Sequence, residues 1–258
     1  MVKKRIIPKF LIKDGRLVKG VHFHENFREA GNPVTAAKIY DSYGVDELIF
    51  LDIQASLENR KTVLDIIGRV SEEIFMPFTV GGGVKTLDHV NDLLRAGADK
   101  VSVNTAAFEN PAFIKQAAAR FGDQCVTVAI DYREVGPGQL LAFTHCGQEI
   151  TDIDPMEWAL RMQDCHCGEI ILCSIDRDGT MSGYDLEAIR RLSERLDVPL
   201  VASSGAGSLN DCRKALEAGA SAITISSMFL FTDHSPIKVR SYLVSNNVDV
   251  RANWGSRS

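Results

Sequence analysis

The chain has 258 residues, 45% of them hydrophobic and 24% charged, with a formal net charge of −5. That balance suits one large domain with a substantial core or two small ones. It argues against a nucleic-acid surface, and no apolar run approaches the length of a membrane span. The basic start Met1-Val2-Lys3-Lys4-Arg5 is interrupted as a signal core by Pro8, Lys9, Lys13 and Asp14, so a cytoplasmic protein is expected.

Apolar, β-branched runs at residues 5–11, 47–53, 77–80, 100–104, 125–131, 169–175, 200–203 and 222–226 predict strands. Helical patterns fall between them at 33–43, 61–74, 87–96, 111–120, 155–163, 185–195, 209–218 and 236–244. Pro33, Pro111 and Pro155 stand near helix starts, and Gly44, Gly97, Gly122 and Gly219 where helices should stop. Such alternation argues for a parallel sheet. Eight units in one chain without a Pro/Gly/Ser-rich linker argue for a closed (β/α)8 TIM barrel, a single domain over 1–258. Residues 13–32 and 132–154 are longer loops than a barrel needs, the second with a small hairpin at 140–144. Both follow strands and so belong to the C-terminal face, where barrel active sites lie. The six cysteines have no disulfide-framework spacing, and Cys165-His166-Cys167 lacks a second ligand pair, so neither metal nor cofactor is expected.

The chain repeats itself. Shifted by 122 residues, 81–105 lies over 203–227 without a gap: Gly83 meets Gly205, Leu94 meets Leu216, and Asn104-Thr105 meets Ser226-Ser227. Glu47 meets Glu169 under the same shift. The period is far longer than a solenoid repeat and reads as half-barrels of about 1–122 and 123–245. Gly81-Gly82-Gly83 alone is either a plain strand-to-helix turn or a loop whose bare backbone approaches an anion at a helix start. Its recurrence predicts two phosphate pockets and a ligand phosphorylated at both ends.

Acidic residues recur at strand ends: Asp52, Asp131, Asp176 and Asp178. Each either serves acid–base chemistry in the mouth or caps a loop or helix. Asp131, with no helix directly behind it, is read as catalytic, and Asp178-Gly179 as positioning a phosphate or loop. A shift of 120 puts Leu11 opposite Asp131, where symmetry would lead one to expect a second carboxylate. Arg5, Glu47, Lys100 and Glu169 each start a strand, at the opposite end of the barrel. They form either a salt-bridge plug or a gate for something small and neutral.

At this point the motifs Lys13-Asp14-Gly15, Phe50-Leu51-Asp52-Ile53, Pro77-Phe78-Thr79-Val80-Gly81-Gly82-Gly83, Val128-Ala129-Ile130-Asp131 and Ser174-Ile175-Asp176-Arg177-Asp178-Gly179-Thr180 carry a resemblance. The chain resembles the cyclase subunit of imidazole glycerol phosphate synthase, of histidine biosynthesis, over nearly its whole length. The resemblance implies a duplicated half-barrel, a glutaminase partner docked at the bottom, ammonia passed through the barrel, and cleavage of an aminoimidazole-carboxamide ribonucleotide. It implies Asp131 and Lys19 as catalytic, and Asp52 and Asp176 at the substrate mouth. Gly83, Asn104 and Thr105 match one phosphate site, and Asp178, Gly179, Gly205, Ser226 and Ser227 the other. Arg5, Glu47, Lys100 and Glu169 match the ammonia gate, and Asp99 the docking surface.

Four positions depart from the family pattern. Leu11 stands where the family has its other catalytic aspartate, Lys9-Phe10 replaces Cys-Leu, and Ser204 replaces a phosphate-loop glycine. A divergent branch with such changes resembles ammonia-supplying subunits in the making of acetamidino sugars for surface polysaccharides. That branch is the leading expectation here. A working cyclase and a non-catalytic docking activator of a glutaminase are the alternatives.

Overall fold

The barrel is built from strands β1 (Arg5–Lys13), β2 (Leu48–Asp52), β3 (Phe78–Gly81), β4 (Lys100–Val103), β5 (Val126–Gly136), β6 (Glu169–Ser174), β7 (Leu200–Ser203) and β8 (Ala222–Ile225). This is a computed structural model, describing residues 3–23, 25–54 and 60–251. Every neighbouring pair of barrel strands is parallel, and β8 pairs back onto β1, closing the ring. Each of the eight predicted helices is present within a few residues of its expected bounds. The (β/α)8 expectation is therefore met. No helix among the described residues is long and apolar enough to cross a membrane.

Strand periodicity divides the side chains. In β1, Ile6, Phe10 and Ile12 face outward into the large core beneath the helices, and Ile7 faces inward. Inside, Ile7, Ile49, Ile171, Val201 and Ala222, flanked by Leu51 and Ala129, form an apolar belt across the barrel. Pro8 is tolerated in a central strand because it falls where pairing changes hands. The β8 ladder ends at Pro8–Ile225 and the β2 ladder begins at Lys9–Ile49, so its missing N–H falls at the junction of the two ladders.

The 122-residue shift relates geometry as well as sequence. Thr86 Oγ1 accepts from His89 N–H, and Ser208 Oγ from Asp211 N–H, each capping a helix. Ser71 Oγ donates to Ala96 O at 3.1 Å and Ser193 Oγ to Ala218 O at 3.2 Å.

Three features differ from expectation. Residues 13–32 are no loop: Arg16–Val21 and Glu25–Gly31 form an antiparallel ribbon continuing β1. Asp14 (φ 49°) and Gly15 (φ 73°) make its two-residue turn. Asp-Gly between apolar runs favours this turn because both central residues need positive φ. Likewise β5 runs on to Gly136 and pairs with Gln139–Thr144, a longer hairpin than expected. Two short helices, Thr105–Glu109 and Ser227–Phe231, follow β4 and β8; five residues are too few for periodicity to reveal.

Candidate functional site

At the N-terminal end of the barrel the four strand-start charges close into a ring. Arg5 Nη1 pairs with Glu47 Oε2 at 2.9 Å, and Lys100 Nζ pairs with the same oxygen at 2.8 Å. Arg5 Nη2 also pairs with Glu169, which Lys100 reaches at 3.2 Å. Thr79 Oγ1 donates to Glu47 Oε1 at 2.6 Å. Burial opposes the Arg5 charge, but Glu169 and Glu47 outweigh it and hold the guanidinium above its ordinary range. Asp99 lies exposed on this rim, its Oδ2 accepting from Phe78 N–H at 2.9 Å. Phe75, in the turn before β3, is 98% exposed.

Beyond the belt, the inward positions become polar. Lys19, from the ribbon, is buried and pairs with Asp178 Oδ2 at 2.7 Å. Burial lowers the Lys19 pKa despite that partner. Ser204 Oγ donates to the other Asp178 oxygen at 3.2 Å. Lys9 projects inward from β1, donating to Ser203 Oγ at 2.7 Å and Cys173 Sγ at 3.3 Å. One pocket is lined by Lys9, Lys19, Asp178, Gly179, Ser204, Gly205, Thr224, Ser226 and Ser227. The residues expected at the second phosphate site are thus gathered together.

Asp131 ends the inward row of β5 and is buried, accepting from Asn104 Nδ2 at 2.6 Å. Burial raises its pKa to about 6, against the opposing pull of Lys9 and Asn104. A carboxyl poised near neutrality suits proton transfer. Leu11 is buried on the same inward face of β1 as Lys9, two residues on. Asp52 is also buried, its Oδ1 accepting from Gln54 N–H. Gly82 packs so closely on Asp52 that an added Cβ would lie 2.0 Å from the Asp52 carbonyl oxygen.

Not every expected residue joins the cluster. Asp176 turns to the hairpin instead, pairing with Arg133 Nε at 3.0 Å and accepting from Glu134 N–H at 3.0 Å. On the other side, Thr105 Oγ1 is taken by His145 N–H at 3.0 Å. The loop at Gly147 packs on Phe23 and Ile175, so the two long insertions meet over the mouth. Gly83 (φ 61°) follows the end of β3 by two residues, and Asn104 follows β4 directly.

Sequence reasoning noted Lys9 only as a replaced residue and missed it as a member of the pocket. The signal was present, because period-2 alternation puts 5, 7, 9 and 11 on one face of Arg5–Lys13. Ser203, Thr224 and Cys173 were also missed. Ser204 takes φ 80° where glycine is the easier residue, and its bond to Asp178 helps to hold that conformation.

Gly205 has φ +101°, and a Cβ there would lie 2.2 Å from Gly183 O. Gly205→Ala is therefore expected to cost about 1–3 kcal/mol and to displace the pocket wall. Urea unfolding and phosphate titration check it, both falling together; an unchanged unfolding midpoint would contradict the close approach.

A closed parallel barrel with a polar pocket and a buried carboxyl at its C-terminal face has the architecture of an α/β-barrel enzyme. Residues 5–235 match the model of the histidine biosynthesis protein family, and the chain belongs to that family. Its members are isomerases and cyclases of histidine biosynthesis, and the eight-stranded parallel barrel fits the cyclase type.

Proposed function

We propose that this barrel receives ammonia at its N-terminal face from a glutaminase and supplies it for amidation of a phosphorylated sugar, in the making of acetamidino sugars for surface polysaccharides. The observation that carries this reading is Leu11. It occupies the inward position of β1 near the mouth, where a leucine can neither donate nor accept a proton, so a two-carboxylate cyclisation lacks half its machinery. The ring of Arg5, Glu47, Lys100 and Glu169 supports passage from below, since opening one pair would admit a neutral molecule. Exposed Phe75, three residues before the Phe78 that donates its N–H to Asp99, supports docking there, because an aromatic anchor on a polar rim is typical of partner surfaces.

A second reading, a working cyclase, is favoured by Asp131 itself, whose pKa near 6 matches a general acid or base at neutral pH. In that reading Asp14 or Asp52 would share the chemistry. A docking activator without turnover would bind phosphate but transform nothing.

The experiment is cyclase turnover with saturating ammonium salt and the aminoimidazole-carboxamide ribonucleotide, for the parent and Leu11→Asp. The parent is expected to be silent and Leu11→Asp to gain about 10²–10⁴ in rate, the worth of a positioned acid or base. Turnover by the parent at an ordinary enzyme rate would overturn the ammonia-supply reading in favour of the cyclase.

A further inference from the structure

Lys9 is a buried cation that the ammonia reading leaves without a task. Its side chain is 4% exposed. Both of its hydrogen-bond partners, Ser203 Oγ and Cys173 Sγ, are neutral acceptors, so one of the three ammonium protons is unused. Burial holds the Cys173 thiol above its ordinary range, which keeps it uncharged. Among the described residues Lys9 makes no ion pair. The nearby carboxylates are engaged elsewhere, Asp178 with Lys19 and Ser204, and Asp131 with Asn104.

We propose that Lys9 binds the ligand's phosphate-class anion directly, its ammonium forming the floor of the pocket walled by Gly179, Gly205, Ser226 and Ser227. The proposal rests on reading that pocket as a phosphate site and adds a residue to it. Three observations support it. Lys9 lines the same cavity as those four residues, together with Lys19 and the Thr224 side of the wall. Burial opposes the Lys9 charge, but Cys173, Asp178 and Asp131 outweigh it and raise its pKa, so the group stays an ammonium with a proton to offer an anion. Charge balance points the same way. Two lysines and two aspartates, Lys9, Lys19, Asp131 and Asp178, sum to zero once both carboxyls are ionised. Without Lys9 the pocket would be net negative before any phosphate arrived. Thr224 Oγ1 donates to Ser203 Oγ at 2.9 Å, which leaves the Ser226 and Ser227 hydroxyls as the donors suited to phosphate oxygens.

Lys9→Met tests this, because it keeps the side chain's length and removes its charge. Titration calorimetry with inorganic phosphate at fixed ionic strength is expected to show affinity falling about 10–100-fold, as befits one charge-assisted hydrogen bond. The melting temperature without phosphate is measured alongside, so that loss of fold is told apart from loss of binding. Unchanged phosphate affinity overturns the proposal, most plainly if the melting temperature falls, which would give Lys9 a structural role only. Absence of phosphate binding in the parent would overturn the pocket reading itself. Should Lys9→Met fail to fold, ¹⁵N-lysine spectra of the parent decide: the Lys9 Nζ resonance moves on adding phosphate, and a stationary one overturns the assignment.

Discussion

Asp131→Asn is expected to stabilise the fold by about 3 kcal/mol at pH 8 while removing the proton-transfer group. The Asp131 pKa rises from 3.8 to about 6, with burial as the largest cause; at about 1.4 kcal/mol per unit this is roughly 3 kcal/mol. The folded carboxyl holds its proton more tightly than the unfolded one. Below about pH 4 both states are protonated and the difference vanishes. Between pH 4 and 6 the unfolded chain ionises first, so the parent loses stability as pH rises, and above 6 the full cost is present. Urea unfolding at pH 4 and 8 checks this, with parent and variant converging at the acid end. In the Leu11→Asp background, Asp131→Asn should also lower ammonia-dependent turnover by about 10²–10⁴. A variant no more stable than the parent at pH 8 would mean that Asp131 is not held in an unfavourable charged state.

Glu47→Gln is expected to have the largest structural effect. Glu47 is the shared anion of Arg5 and Lys100 and also accepts from Thr79. Its side chain is 3% exposed. Neutralising it leaves two cations facing Glu169 alone, and breaking a buried ion pair from one side costs about 3–5 kcal/mol. For a chain of this size that is a fall of about 6–20 °C in melting temperature. The exposed Arg16–Glu29 pair is the control, with a change of at most about 1 kcal/mol on substitution. A ring that serves mainly as a gate would show a second effect: Glu47→Gln should alter glutamine-dependent turnover more than turnover with added ammonium. Equal effects on both would leave the ring a structural plug.

The strands and helices were legible because each carries its own periodicity. Alternation in Arg5–Lys13 and the capped, amphipathic patterns of Leu87–Arg95 and Leu209–Glu217 are local properties. The charged ring was legible for the same reason, since a charge at the first inward position of a strand has only the barrel's end to go to. The acids beyond strand ends were less legible. Asp176 and Asp178 are two residues apart in one turn, yet one pairs outward with Arg133 and the other inward with Lys19. Alternation stops where the strand stops, so neither direction follows from sequence. The ribbon at Arg16–Val21 shows a different failure: its Asp-Gly turn was readable, but the residues were grouped as loop by their glycines and lysines.

By itself the sequence determined the eightfold alternation, its recurrence at 122 residues, the charges at the strand starts and the lack of a carboxylate at position 11. These rest on period and spacing, which any chain displays before it folds. Tertiary structure alone decided that Lys9 and Lys19 join Asp178 and Gly205 in one pocket. Barrel closure brings β1 against β8, and the folded-back ribbon carries Lys19 over Asp178. Groups so far apart in the chain meet only through that register, and it is the burial they share there that turns ordinary lysines and aspartates into a site.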